Sequence, residues 1–213
     1  MNPEIVAEIS GNHGGSISIA RQLVRKAAKA GADAVKFQCF DPVRLASRRA
    51  NNQEVLALAG ESSLIDLYRQ THTPREWFPL LIETARDAGI PWFSSVFDPS
   101  DVEFLEHFDC PRYKISAFEM LDWDIIKAVR ETGKPIVMSV RPTPGVTILH
   151  ATDYQGEFAE LGVSIHHPHV APLYSCPMIE VHLRLEGVDT PDAAFSRTPE
   201  QLAALVQRQK KPR

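Results

Sequence analysis

Residues 30–38 read Ala-Gly-Ala-Asp-Ala-Val-Lys-Phe-Gln, and this stretch decides the fold class. Before it, the apolar residues of segment 19–30 recur at helical spacing, and Gly31 is typical of a helix end. Residues 34–38 then form a short, mainly apolar run of the kind found in buried strands. The stretch therefore predicts a helix followed at once by a strand, which is the repeating unit of α/β proteins.

The same order recurs through the first 140 residues. Further strands are predicted at 5–9, 91–95, 112–116 and 135–139, and further helices at 74–88, 98–107 and 123–131. Because parallel strands need crossover connections, this alternation indicates a buried parallel sheet. Polar side chains stand at the end of every strand. That favours a closed (β/α)8 TIM barrel over a doubly wound sheet, where the ligand crevice lies only at the switch point.

The last third of the chain departs from this pattern. Strands are predicted at 146–150, 162–166 and 179–182, a short helix at 155–161 and a final helix at 199–208. Residues 140–145 are too few for a helical crossover of about 10 to 12 residues. A full barrel usually takes about 250 residues, against 213 here. We therefore predict one TIM-barrel domain over residues 1–213, compressed or incomplete in its C-terminal half.

Composition excludes several classes of protein. A hydrophobic content of 44% allows a sizeable core and argues against a disordered chain. The formal net charge is −4 and the only basic block is at 210–213, so nucleic-acid binding is not favoured. No apolar run approaches the roughly 20 residues of a membrane span. Three scattered cysteines form neither a disulfide framework nor a zinc motif. We expect a soluble cytoplasmic protein.

Two lysines, Lys36 and Lys114, lie inside otherwise apolar predicted strands. Either one alone could be a strand-end lysine that extends to solvent. Together with the serines at other strand ends they favour a cradle for a phosphate or carboxylate. These serines are Ser95, Ser139 and Ser164.

Carboxylates and histidines also stand at the predicted strand ends. Glu8 and Glu119 could each be a cap or ion-pair residue, but beside an anion site they could orient a ligand and act as a general base. His166 and His182 end successive predicted strands and could share a divalent metal, although the HHPH segment at 166–169 could also be an exposed loop. Residues 44–60, rich in arginine, are interpreted as a solvated excursion or as a lid over the site.

Several motifs in one order resemble the sialic acid synthase family. AEISGNHGGS at 7–16 is similar to the family's AE-[IL]-x-x-NH-N-G-S opening, and residues 30–38 are similar to its AGADAVK-[FL]-Q segment. The pseudaminic acid synthase branch is closer still. Its motifs are matched by LY and HTPREW (67–68, 72–77), FSSVFD (93–98), YKISAFE (113–119) and PDAAFS (191–196).

The resemblance implies a transferase of carbohydrate biosynthesis. Such enzymes condense phosphoenolpyruvate with the open-chain aldehyde of an N-acetylated amino sugar, forming a nonulosonic acid and releasing phosphate. The implied catalytic residues are Glu8, Lys36, Lys114 and Glu119, with Glu119 handling protons. The implied metal ligands, for Mn²⁺ or Mg²⁺, are His166 and His182. The implied substrate contacts are Asn12, Gln38, Ser95, Ser139, Tyr154, Ser164 and Asp192.

The resemblance also implies a homodimer with neither a nucleic-acid nor a membrane partner. The family's usual small C-terminal antifreeze-like domain is not expected within residues 1–213. Ile165 stands where the family has Asp beside a histidine ligand, and Ser116-Ala117 replaces Ala-Ser. These departures keep two alternatives open: a catalytically silent relative that binds a sugar or phosphate, and a phosphoenolpyruvate aldol-type synthase with a different acceptor.

Overall fold

The computed structural model of the protein describes residues 3–51, 63–138, 163–165 and 178–209. Within these residues, seven strands form one parallel sheet in the order β5-β4-β3-β2-β1-β7-β6. The strands are β1 (Glu4–Glu8), β2 (Ala34–Cys39), β3 (Trp92–Val96), β4 (Tyr113–Ile115), β5 (Ile136–Met138), β6 (Val163–Ile165) and β7 (Met178–His182). All seven were predicted to within about two residues, whereas the strand predicted at 146–150 and the helix predicted at 155–161 lie outside the described residues.

Helices connect and cover the strands. They are α1 (Ile17–Ala30), α2 (Pro42–Arg49), α3 (Leu64–Thr71), α4 (Phe78–Asp87), α5 (Pro99–Glu106), α6 (Trp123–Glu131) and α7 (Pro199–Gln209). The single helix predicted at 74–88 is a 3-10 turn, Arg75–Trp77, followed by α4. None of the helices in the described parts of the chain is long and apolar enough to cross a membrane.

The ends of the helices follow from local chemistry. The Ser16 side chain accepts a hydrogen bond from the backbone of Ile19 and so caps the start of α1. Gly31, with φ of +85°, ends α1 in a left-handed conformation. Asp41 caps α2 in the same way as Ser16 caps α1, and Pro42 takes the first helical position. These short-range signals set where each strand begins and ends relative to its helix.

The hydrophobic core lies between the sheet and its helices. Strands β1, β2 and β7 are buried along almost their whole length, as expected for parallel strands covered on both faces. The largest fully buried side chains from the sheet and helices are Ile5, Leu23, Phe37, Phe78, Leu81, Phe93, Leu105, Tyr113, Ile115 and Ile125. This packing holds the carboxyl ends of the strands in fixed positions.

The sheet is strongly curved. Lys114 in β4 and Glu180 in β7 are separated by four strand spacings, which would be roughly 19 Å in a flat sheet. Their charged atoms, Nζ and Oε2, nevertheless lie 3.6 Å apart. Strands β1 to β4 and β7 must therefore curl around a common interior, as the strands of a barrel do. Closure of the barrel by an eighth strand stays a prediction.

Candidate active site

Charged side chains from the curved sheet meet in its interior near the carboxyl ends of the strands. The strand register pairs Glu8 of β1 with Lys36 of β2 and with His182 of β7, and pairs Ser95 of β3 with Lys114 of β4. In barrel proteins this end of the sheet is where active sites are built. The predicted convergence of strand-end polar residues is therefore observed for these five.

Lys36 is the centre of this cluster. Its Nζ forms an ion pair with Glu8, donates a hydrogen bond to Ser95 Oγ at 2.8 Å and lies 3.7 Å from Glu180 Oε2. Lys114 Nζ lies 3.6 Å from the same oxygen of Glu180. Only 0 to 6% of each of these charged residues is exposed. Burial of charges is costly unless they are paired, so the two ammonium groups and two carboxylates depend on one another.

Glu180 is a site residue that was not predicted from the sequence. It stands two positions before His182 in β7, and residues two apart in a strand share a face. The spacing of two residues from His182 could have indicated that Glu180 faces the same site. The carboxylate of Glu180 faces both lysines of the predicted anion cradle.

Burial perturbs the ionisation of Glu8. Loss of solvent raises the pKa of its carboxyl group above the usual value, and the neighbouring Lys36 ammonium opposes this rise. Glu180 adds a second carboxylate that raises the pKa of Glu8 further. A buried carboxyl with a perturbed pKa beside an ammonium group is a candidate functional group.

His182 lies beside a hydrogen-bonded chain of polar side chains. Its Nδ1 is 3.6 Å from Asp192 Oδ2, and its ring packs edge-on against Phe195. Ser10 donates to Asp192 and accepts from Gln38 Nε2 at 3.1 Å. Burial lowers the pKa of His182, but the carboxylates of Asp192, Glu8 and Glu180 together raise it above the usual value.

Glu119 forms a second cluster in the turn after β4. Its Oε1 accepts from Arg49 Nε at 2.9 Å and from Arg49 Nη2, and its Oε2 accepts from the Ser116 hydroxyl. Arg49 comes from α2, within the stretch interpreted as a solvated excursion or lid. The solvated interpretation is wrong for Arg49, whose side chain is only 12% exposed. It was missed because α2 is only eight residues long and buries only Leu45.

Asn12 links two segments of the chain through buried hydrogen bonds. It is fully buried, with Nδ2 donating to Ser196 Oγ at 2.8 Å and Oδ1 accepting from Thr190 Oγ1 at 2.6 Å. These bonds tie the loop after β1 to the segment that follows β7. Direct contact of Asn12 with a sugar stays a prediction.

Four predicted site residues lie wholly or partly outside the described residues. Ser139, Tyr154 and His166 lie outside the described residues, and for Ser164 only the backbone, in β6, is described. Within the described ranges, no group of three or more His, Cys, Asp and Glu side chains is arranged to hold a metal ion. The predicted pairing of His166 with His182 around a metal therefore stays a prediction.

Comparison with known proteins connects this site to one family. The NeuB family model matches residues 23–155. Pseudaminic acid synthase of Campylobacter jejuni is 39% identical over 138 residues, which cover 63% of this chain and 40% of that enzyme. Pseudaminic acid synthase of Helicobacter pylori is 36% identical over 139 residues, which cover 64% of this chain and 41% of that enzyme. The matched part thus spans about two fifths of these relatives.

A solved structure shares the fold over nearly the whole chain. The N-acetylneuraminic acid synthetase of Leptospira borgpetersenii, determined with citrate, superposes with a TM-score of 0.71 at 21% identity. The superposition covers 99% of this chain and 83% of that one. At this identity the likeness shows the architecture of the sheet and helices.

Proposed function

This chain belongs to the NeuB family, and on that basis we propose that it condenses phosphoenolpyruvate with an open-chain N-acetylated amino sugar. The products would be a nonulosonic acid and phosphate. The observation that carries this proposal is the buried placement of Lys36, Lys114 and Ser95 in the interior of the curved sheet. A ligand with both a phosphate and a carboxylate fits two ammonium groups and a hydroxyl.

Phosphoenolpyruvate would compete with carboxylates that are already present. In the structure Glu8 and Glu180 neutralise the lysines. An incoming phosphate or carboxylate would take over part of that pairing, and charge-assisted hydrogen bonds in a buried site are stronger than neutral ones. The two ammonium groups are therefore already buried and ordered at the place where the anion would bind.

Glu119 would move the protons of the reaction. C3 of phosphoenolpyruvate bonds to the aldehyde carbon, the aldehyde oxygen gains a proton, water adds at C2 and phosphate leaves from C2. A carboxylate at the carboxyl ends of the strands can accept the proton of the attacking water, provided it is held within hydrogen-bond reach. Arg49 and Ser116 hold this one.

A divalent metal would be held by His182 together with His166. His182 fits this role because its imidazole faces the Asp192 carboxylate, an arrangement that commonly orients a metal-binding histidine. Mn²⁺ or Mg²⁺ would supply Lewis-acid polarisation of the sugar aldehyde. Gln38, Ser10 and Asp192 form a polar chain beside this histidine where a sugar hydroxyl could bind.

The acceptor sugar, the closure of the barrel and the homodimer are proposed from the resemblance to the family. A pseudaminic-type acceptor is favoured by the segments at 67–68, 72–77, 93–98 and 191–196. A closed eight-stranded barrel and a homodimer belong to the same proposal.

Phosphate release from phosphoenolpyruvate tests the function directly. Purified protein is incubated with phosphoenolpyruvate, with and without Mn²⁺, and with pseudaminic-type and sialic-type acetamido-sugar precursors. We expect metal-dependent release with one acceptor, and its loss in Lys114→Met. Binding of phosphoenolpyruvate with no release from any acceptor would overturn the proposal and favour the silent relative. Release only with phosphorylated or non-acetylated sugars would favour the aldol-type alternative.

A further inference from the structure

Arg49 makes a two-point contact with the carboxylate that the proposed function uses for proton transfer. Nε of Arg49 donates to Glu119 Oε1 at 2.9 Å, and Nη2 donates to the same oxygen. Both side chains are largely buried, with 12% of the arginine and 7% of the glutamate side chain exposed. Ion pairs with this burial and geometry hold their partners in one arrangement more firmly than surface pairs do.

The guanidinium group itself is held from several directions. Its Nη1 donates to the hydroxyl of Tyr68 at 3.2 Å. Its central carbon lies 4.9 Å from the ring centroid of Phe118, 5.4 Å from that of Phe97 and 5.9 Å from that of Tyr68. Arginine over aromatic rings gains cation–π attraction. Arg49 is thus a fixed support, built from α2, α3 and the segments that follow β3 and β4.

The bonds to Glu119 leave its two oxygens in different states. Oε1 accepts two hydrogen bonds from Arg49, and a carboxylate oxygen has about two acceptor positions. Oε2 accepts one bond, from Ser116, so it keeps about one position for a water or substrate proton. Ser116 is also where this chain departs from the family's Ala-Ser order, and the shifted hydroxyl is the one that contacts Glu119.

We propose that Arg49 is a positioning residue for proton transfer: with Ser116 it fixes Glu119 so that Oε2 is the oxygen presented to the reacting groups. The inference rests on the proposed function. Helix α2 then belongs to the active site. Lysine could not replace Arg49, because an ammonium group lacks the planar pair of donors and the stacking face.

Steady-state phosphate release from wild-type protein and four variants tests this role. In Arg49→Ala we expect kcat to fall roughly 10- to 100-fold, because small misplacements of a reacting group have effects of this size. KM for phosphoenolpyruvate should stay within about twofold, since substrate binding is not what is lost. Arg49→Lys should show nearly the same loss. Millimolar guanidinium ion should restore part of kcat in Arg49→Ala and none in Arg49→Lys.

Arg48→Ala is the matched control. Arg48 is the neighbouring arginine of α2 and forms ion pairs with Asp98 and Asp122. Removing Arg48 tests whether the loss of any ion pair from α2 lowers kcat as the loss of Arg49 does. We expect kcat of Arg48→Ala to remain at the wild-type level. Ser116→Ala is a second, independent variant that should lower kcat with little change in KM.

These measurements separate a failure of the proposed function from a failure of the role given to Arg49. An inactive wild-type protein would overturn the proposed function and the inference together. An active wild type with unchanged kcat in folded Arg49→Ala, or equal losses in Arg48→Ala, would overturn the inference alone. Should circular dichroism show that Arg49→Ala does not fold, Ser116→Ala decides, and an unchanged kcat in that variant would overturn the role given to Glu119 Oε2.

Discussion

One carboxylate oxygen of Glu180 lies almost equally far from two ammonium groups, 3.7 Å from Lys36 Nζ and 3.6 Å from Lys114 Nζ. The three residues come from β7, β2 and β4, so curvature of the sheet is what brings them together. In the absence of a ligand, Glu180 provides the negative charge that a bound anion would otherwise provide between the lysines. Glu180 therefore stabilises the two lysines, and an anion that bound between them would have to compete with it.

This relationship predicts opposite effects of Glu180→Gln on stability and on anion response. Removal of one charge from a buried pair typically costs about 3 to 5 kcal/mol of unfolding free energy. Inorganic phosphate should then raise the melting temperature of Glu180→Gln more than that of wild type, because the phosphate replaces the lost charge. Glu103→Gln, at an exposed position of α5, is the control and should match wild type in both respects. Equal phosphate responses would contradict the prediction.

Asp101 predicts a pH dependence of stability. Burial raises the pKa of its carboxyl group to about 6, although the Phe97 backbone N–H and Arg75 both bond to the ionised form. A raised folded-state pKa means that the unfolded chain ionises first, at a pKa of 3.8. The contribution of Asp101 is then fully present below pH 3.8 and is lost as the pH rises through about 6.

Urea unfolding of wild type and Asp101→Asn between pH 4 and pH 8 measures this contribution. Asparagine cannot ionise, so the variant should lose roughly 2 kcal/mol less stability across this range than wild type. Asp66→Asn, which removes an exposed carboxylate of α3, is the control for losing an aspartate as such. Parallel curves for wild type and Asp101→Asn would show that the burial of Asp101 has no net effect on its ionisation.

The close approach of Gly11 to Thr71 leaves no room for a side chain at position 11, in the loop after β1. A Cβ at this position would lie 2.7 Å from Cβ of Thr71 in α3, closer than such atoms approach. Gly11→Ala should therefore cost about 1 to 3 kcal/mol of unfolding free energy, the usual range for overpacking. Gly15→Ala in the same loop has open space and should show only the left-handed backbone cost of about 1 to 2 kcal/mol. Urea unfolding measures both costs, and a Gly11→Ala protein as stable as wild type would mean that the loop shifts freely to accept the methyl group.

The strands and the lysine cradle could be predicted from sequence because both depend on local patterns. Short apolar runs bounded by glycine and proline marked the strands, and parallel strands bring their carboxyl ends to one edge. Lys36, Ser95 and Lys114 could therefore be expected to meet. Their pairing with Glu180 depends on β7 lying beside β1 and on the curvature of the sheet, and both are long-range facts.

Arg49 shows the other limit of sequence reasoning. Helix α2 is short, begins with proline and buries a single residue, so its pattern resembles that of a solvated loop. The contact of Arg49 with Glu119 joins residues 70 positions apart and depends on aromatic side chains from three other segments. No local pattern in the sequence indicates such a contact.

Asp192 predicts a change in metal affinity that can be measured without turnover. Its carboxylate faces His182 and accepts from Ser10, so it would both orient the imidazole and increase its basicity. Loss of such an outer partner typically weakens metal binding about 10- to 100-fold, and Asp192→Asn should do the same for Mn²⁺ followed by electron paramagnetic resonance. Asp189→Asn changes an exposed carboxylate of the same loop and should bind Mn²⁺ as wild type does. His182→Gln, which removes a proposed metal ligand, should abolish high-affinity Mn²⁺ binding. If Asp192→Asn and wild type bound Mn²⁺ equally, the Asp192 carboxylate would have no part in holding the metal, and His182→Gln alone would then decide whether His182 is a ligand.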